Sequence, residues 1–169
     1  MKHYLIVALV ILVGFVLQQA NFMDLSLGFT NKEKFVHIQI HGNSMRPILK
    51  NGSTYKAYKA ESYGVGDIVV FDILGSEDPF IKWLAGEPGD KVSFDGKQMF
   101  INGKIATDYS CKDNGSRLCN QFNEMCGANY TECGIPAGNC LVLANQRGSQ
   151  DSLTFGLIQC SKIKYIIDQ

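Results

Sequence analysis

Apolar positions in this chain come in short runs, most with a period of two. Between Phe35 and His41, Val36, Ile38 and Ile40 alternate with Phe35, His37, Gln39 and His41, which predicts a half-buried strand. Asn51-Gly52 marks a turn, and Thr54 to Ala60 reads as a second strand. Gly64-Val65-Gly66-Asp67 then turns the chain into Ile68-Val69-Val70-Phe71, an unbroken apolar run that fits a buried strand. If Phe80 to Leu84 is extended, Phe80, Lys82 and Leu84 share one face while Ile81 and Trp83 take the other. The turn cluster Gly86-Glu87-Pro88-Gly89-Asp90 precedes a hairpin of Lys91 to Phe94 and Gln98 to Ile101, closed by a second turn at Asn102-Gly103. Cys140 to Leu143 and Ile163 to Ile167 complete the strands, with a polar loop from Asn145 to Ser152 between them. From Asp108 to Gly138 the pattern dissolves into Asn, Gly, Ser and Cys, which predicts an excursion with little core of its own, held by disulfides. The whole reads as a β-rich protein with many turns.

The N-terminus differs. Met1-Lys2-His3 is followed by an uncharged apolar run from Tyr4 to Leu17, and the first acid is Asp24. A signal-peptide core has this length, whereas a spanning helix needs about 20 residues, which the stretch reaches only if it continues to Met23. Gln18 stands two residues before the candidate cleavage site at Ala20, a poor small-residue pattern, so we read residues 1–23 as a retained anchor in preference to a removed signal peptide. Lys2 then stays cytoplasmic and the rest of the chain lies outside. Residues 24–34 form a linker, and residues 35–169 form one exported domain that includes a cysteine-rich insertion at 108–140. Lysine plus arginine equals aspartate plus glutamate, 16 each, so there is no electrostatic case for nucleic acid as a partner. Of six cysteines, Cys111, Cys119, Cys126, Cys133 and Cys140 cluster and Cys160 follows. An even, dense set downstream of an export signal predicts disulfides; no C-x-x-C or C-x-x-H pair favours a zinc knuckle. Spacing does not select the pairing.

The chemistry concentrates at Gly42-Asn43-Ser44-Met45-Arg46-Pro47-Ile48-Leu49. Pro47 stiffens the exit of this turn and biases Arg46 towards extended backbone, while Gly42 leaves room for a backbone or ligand. A serine held this way can be aimed as a nucleophile. Serines in turns are more often simple hydrogen-bonding residues, and a strand lysine more often has a packed stem and a wet head. Together, however, Ser44 and Lys82 suggest a nucleophile and its base, because burial against Phe80, Ile81, Trp83 and Leu84 would lower the lysine's affinity for its proton. His41, three residues before Ser44, is the alternative base; a triad would need a carboxylate to orient it, and no G-x-S-x-G elbow is present.

Five segments in order resemble the motif boxes of the type I signal peptidases. Ser44-Met45-Arg46-Pro47-Ile48-Leu49 is similar to the nucleophile box, and Gly66-Asp67-Ile68-Val69-Val70-Phe71 to the strand box. Lys82-Trp83-Leu84-Ala85-Gly86-Glu87-Pro88-Gly89-Asp90-Lys91-Val92 resembles the lysine box, Ile101-Asn102-Gly103-Lys104 the hairpin after it, and Ser149-Gln150-Asp151-Ser152 with Phe155-Gly156 the last box. The resemblance implies a mostly antiparallel β domain on one N-terminal transmembrane helix, working as a serine endopeptidase that cleaves signal peptides from exported preproteins. By the same resemblance Ser44 is the nucleophile and Lys82 the general base. Ser149 orients the lysine, Asp151 supports that loop, and the backbone N–H of Ser44 donates to the oxyanion. Gly42 and Met45 border the oxyanion and substrate site, with Gly42 where some members carry a second hydroxyl donor. No metal or organic cofactor is implied. The implied location is the bacterial inner membrane, with the catalytic domain extracytoplasmic and in contact with membrane lipid.

Five residues at three places depart from the boxes, and the loop to Ser149 is one residue shorter than in them. Trp83 replaces an arginine, Ala144-Asn145-Gln146 replaces glycine-aspartate-asparagine, and Leu153 replaces an arginine that would pair with Asp151. The short final loop and the cysteine-rich insertion are also similar to the TraF-type conjugative-transfer branch, which would mature a pilin precursor. A catalytically inactive relative that binds extended peptides at a sheet edge is a further alternative.

Overall fold

The structure is a computed structural model and describes residues 35–95, 97–107, 116–127 and 130–168. The expected anchor and linker, residues 1–34, lie outside the described residues. Among the described residues no helix is long and apolar enough to cross a membrane.

Among the described residues eleven strands form two sheets in which every pairing is antiparallel. The first sheet holds β1 (Phe35–Gln39), β2 (Thr54–Lys59), β3 (Ile68–Phe71), β4 (Phe80–Gly86), β9 (Asn139–Leu143), β10 (Ile158–Gln159) and β11 (Ile163–Ile167), ordered β1-β2-β11-β3-β4-β9-β10. The second is smaller and runs β7-β6-β5-β8, from β5 (Lys91–Phe94), β6 (Met99–Ile101), β7 (Lys104–Thr107) and β8 (Cys133–Gly134). The last strand of the chain inserts between β2 and β3, so the carboxyl end closes the middle of the sheet rather than an edge. All four residues of β3 are buried, as its unbroken apolar run requires. β1 is half-buried as expected: Ile38 and, just past its end, Ile40 pack inward while His37, Gln39 and His41 are exposed. It lies at the edge of the sheet beside β2, and Val36 at that edge is exposed as well.

Two core clusters flank the part of the sheet that matters for function. Ile40, Met45, Leu49, Ile68 and Val70 pack beneath the Ser44 turn. Val69, Phe71, Leu84, Cys140 and Val142 form the second. A third cluster joins the small sheet to β9, and it corrects the expectation for the insertion. The helix α1 (Arg117–Cys126) lies within it and contributes fully buried Leu118 and Phe122. Leu118 and Phe122 are four residues apart and so share a helix face. Ser116 caps the helix by accepting from the Cys119 N–H. The insertion therefore carries core of its own.

The disulfide expectation holds for the described cysteines. Cys126 pairs with Cys133, tying the end of α1 to β8, and Cys140 pairs with Cys160, tying β9 to the turn before β11. Cys119 is disulfide-bonded as well. The Cys140–Cys160 bridge spans 20 residues of sequence and is worth about 3 kcal/mol by chain entropy. The double variant Cys140→Ser/Cys160→Ser is expected to lose about 2–4 kcal/mol in urea unfolding. An unchanged midpoint would show that the bridge does not constrain the chain.

Candidate active site

The Ser44 turn is built from backbone bonds around a buried anchor. The Arg46 N–H donates to the Asn43 carbonyl at 3.1 Å and the Leu49 N–H to the Met45 carbonyl at 3.0 Å. Met45 and Leu49, each 2 % exposed, fix the turn to the core while Ser44 stays half-buried at the surface. Met45 therefore borders the cleft from beneath as a core residue. Gly42 has φ +102° and its N–H donates to the Asn51 side chain at 3.0 Å. A Cβ there would meet nothing within 4 Å, so glycine is required by backbone conformation and not by a close approach. The Arg46–Pro47 peptide is cis.

Lys82 approaches from β4, where β9 pairs with Trp83 to Gly86 and, among the described residues, no strand pairs with Phe80–Lys82 on that side. The Lys82 Nζ lies 3.1 Å from the Ser44 Oγ and donates to the Ile81 carbonyl at 2.9 Å. The side chain is 4 % exposed, and the Phe80 ring sits 5.5 Å from Nζ. Burial pulls the Lys82 pKa down to about 8, with Asp151 partly opposing the shift. Burial also pushes the Asp151 carboxyl upward, while bonds from the Ala144 and Leu153 N–H groups and the charge of Lys82 hold it back. Lys82 is thus a neutral amine beside the hydroxyl above about pH 8, well below the range of an ordinary lysine.

Asp151 is 5 % exposed and organises the final loop. It is the N-cap of the short helix α2 (Ser152–Phe155) in a capping box with Thr154. Its carboxylate accepts from the Ala144 N–H and from the Leu153 N–H, both at 3.0 Å. Backbone amides therefore satisfy the carboxylate where an arginine at 153 would otherwise stand. Ser149 lines the same cleft, but among the described residues no hydrogen bond joins it to Lys82. His41 is an exposed residue of the cleft rim, and no described carboxylate orients it.

Three contributors were not legible in the sequence. The Asn145 and Gln146 N–H groups both donate to the Ser44 carbonyl, at 2.9 and 3.0 Å. The Gln146 side chain donates to the Arg46 carbonyl at 2.9 Å, and the Ile81 carbonyl holds the lysine. Backbone groups carry most of this grip, and their partners depend on tertiary placement. The polar composition of Asn145 to Ser152 signals only a loop.

Ser44 and Lys82 share a cleft of about 620 Å³, between residues 38–45 on one side and 78–82 on the other. The Ser44 N–H donates to no acceptor among the described residues, leaving it available to a substrate oxygen. A serine hydroxyl beside a desolvated lysine, with the serine's own backbone N–H free, has the arrangement of a serine hydrolase. The profile of the family described as "Signal peptidase, peptidase S26" matches residues 4–165. Signal peptidase IB of Staphylococcus aureus is 34 % identical over 136 residues, covering 73 % of this chain and 71 % of its own length. Signal peptidase I of Bacillus caldolyticus is 29 % identical over 146 residues, covering 79 % and 78 % respectively. A solved signal peptidase I from Enterococcus faecalis V583 overlays with a TM-score of 0.43 at 19 % identity, over 64 % of this chain and 98 % of that one. The chain belongs to the signal peptidase family, peptidase S26, and is a serine endopeptidase.

Proposed function

We propose that this chain removes signal peptides from exported preproteins by a Ser44–Lys82 dyad. The observation that carries the reading is the 3.1 Å approach of a buried Lys82 Nζ to the Ser44 Oγ at the cleft. Neutral Lys82 takes the hydroxyl proton as Ser44 Oγ bonds to the scissile carbonyl carbon. The oxyanion accepts from the Ser44 N–H, a contact worth a few kcal/mol, about 3, in the transition state. Collapse breaks the C–N bond, and the Lys82 ammonium gives its proton to the leaving amine. Lys82, neutral again, takes a proton from water as the water attacks the acyl-enzyme, and returns it to the Ser44 Oγ as the ester C–O bond breaks, which frees Ser44 and leaves the lysine neutral.

The other site residues have supporting parts. An ammonium has three donors, and Ile81 and Ser44 occupy two of them, so Ser149 is the candidate partner for the third. Asp151 braces the loop through the amides of Ala144 and Leu153. Gly42 contributes backbone shape and no hydroxyl. Extended substrate fits between the backbone stretches 38–44 and 78–82, a strand-addition mode. We read the apolar N-terminal residues 1–23 as the anchor that keeps this domain at the outer face of the membrane.

Asp151→Asn separates two effects. It removes the negative charge that raises the Lys82 pKa, so the acid limb of kcat/KM is expected to move to lower pH. It also loses a carboxylate acceptor in the loop, so kcat is expected to fall about tenfold. A limb that moves to higher pH would contradict the assigned electrostatics. The function itself is tested by cleavage of a panel of secretory precursors and one pilin-like precursor in detergent, with Ser44→Ala as control. Wild-type processing of several secretory precursors supports the reading. Cleavage of the pilin precursor alone would assign a dedicated peptidase, and peptide binding without cleavage would assign an inactive relative.

A further inference from the structure

Trp83 and Asn145 are two of the positions that depart from the motif boxes, and they touch. The Trp83 Nε1–H donates to the Asn145 Oδ1 at 2.7 Å. Each end of this bond is one step from the dyad. Trp83 follows Lys82 directly and is held in register, opposite Ile68 on β3 and Leu143 on β9. It also packs with Ile81 against the cluster beneath the Ser44 turn. Asn145 lies two residues past Leu143, where the chain leaves β9, and its own N–H donates to the Ser44 carbonyl at 2.9 Å. The contacts close a ring: Ser44 Oγ to Lys82 Nζ, Lys82 to Trp83 along the chain, indole to Asn145, and Asn145 back to the Ser44 carbonyl.

We propose that the Trp83–Asn145 hydrogen bond is a positioning contact for catalysis, setting the separation of Ser44 and Lys82 by tying the lysine strand to the loop that grips the nucleophile's carbonyl. Neither residue touches the reacting atoms. Their effect passes through geometry, and a misplacement on the order of 1 Å is enough to slow an in-line attack by about a hundredfold. The bond lies at the surface of the protein, so its loss relaxes the ring without emptying the core. Because indole and carboxamide are both neutral, the tie neither titrates nor weakens with salt. The proposal rests on the dyad reading.

The test measures kcat and KM on one signal-peptide substrate for wild type, Trp83→Phe, Asn145→Ala, the double variant, Asn145→Asp and Ser44→Ala. Trp83→Phe keeps the ring and removes the N–H, and Asn145→Ala removes the acceptor while keeping the backbone amide. Each is expected to lower kcat about tenfold with KM within about twofold, since the loss is of alignment and not of binding. The double variant is expected to fall no further than either single, because both break one bond. Asn145→Asp keeps an acceptor and is expected to recover most of the loss. Wild-type kcat in both single variants, losses that multiply to about a hundredfold in the double, or a rise in KM at constant kcat would overturn the positioning role. An inactive Ser44→Ala alongside those results would leave the dyad standing. An active Ser44→Ala would remove the dyad and this proposal with it.

Discussion

Lys82→Met is expected to abolish hydrolysis and to make the protein more stable at neutral pH. Methionine has no proton acceptor strong enough to serve Ser44, so cleavage is expected to fall by about 10⁴-fold or more. The stability gain follows from the same burial that makes the lysine a base. Its pKa falls from 10.5 to about 8 in the folded protein, so below pH 8 the fold carries a charge it solvates poorly. That costs at most about 3 kcal/mol at 1.36 kcal/mol per unit. Losing the bond to the Ile81 carbonyl takes back about 1 kcal/mol, leaving a gain of about 1–2 kcal/mol for methionine, or about 5 °C in the melting midpoint. The sign is fixed by linkage. Between about 8 and 10.5 the unfolded chain binds more protons than the native one, so wild-type stability rises through that window. The advantage of the methionine variant is therefore present below pH 8 and fades towards pH 10.5. Urea unfolding at pH 7 and pH 10 reads both values. A variant less stable than wild type at pH 7 would show that the lysine is well solvated and would remove the basis for its neutrality.

Ser44→Ala is expected to lose a similar factor, about 10⁴ or more, with an unchanged fold. The turn does not depend on the hydroxyl. Its bonds run through the backbone of Asn43, Arg46, Met45 and Leu49, and its anchors are buried Met45 and Leu49. The carbonyl of residue 44 still accepts from the amides of Asn145 and Gln146, and its N–H stays in place. Substrate affinity is thus expected to persist while turnover does not. Residual cleavage within about tenfold of wild type, in protein free of contaminating peptidase, would mean that another nucleophile does the work.

The sequence was most informative where one residue type has one consequence. The unbroken run Ile68-Val69-Val70-Phe71 became a buried strand, and the alternation around Lys82 placed that side chain apart from Ile81 and Trp83. Ser44 and Lys82 were legible as a pair because each lies in a motif, and the fold brings together residues 38 apart in sequence. Where position depends on partners far along the chain, the pattern was silent. α1 was not foreseen because its polar residues mask the spacing of Leu118 and Phe122. α2 was not foreseen because four residues carry too little periodicity, although Asp151 and Thr154 hold the spacing of a capping box. The alternation gave the half-buried face of β1 but not its place at the edge of the sheet, where Val36 is exposed. Leu153 removes a side-chain partner for Asp151, and the sequence offers no hint that two amides take its place.

The central claim is that a neutral Lys82 activates Ser44. It is tested most directly by kcat/KM for a signal-peptide substrate measured from pH 6 to pH 10. The buried lysine predicts activity that rises through about 8 and levels off above it, because only the neutral amine accepts the Ser44 proton. A profile already flat by pH 7 would contradict the account, since the base would then have lost its proton well before Lys82 does.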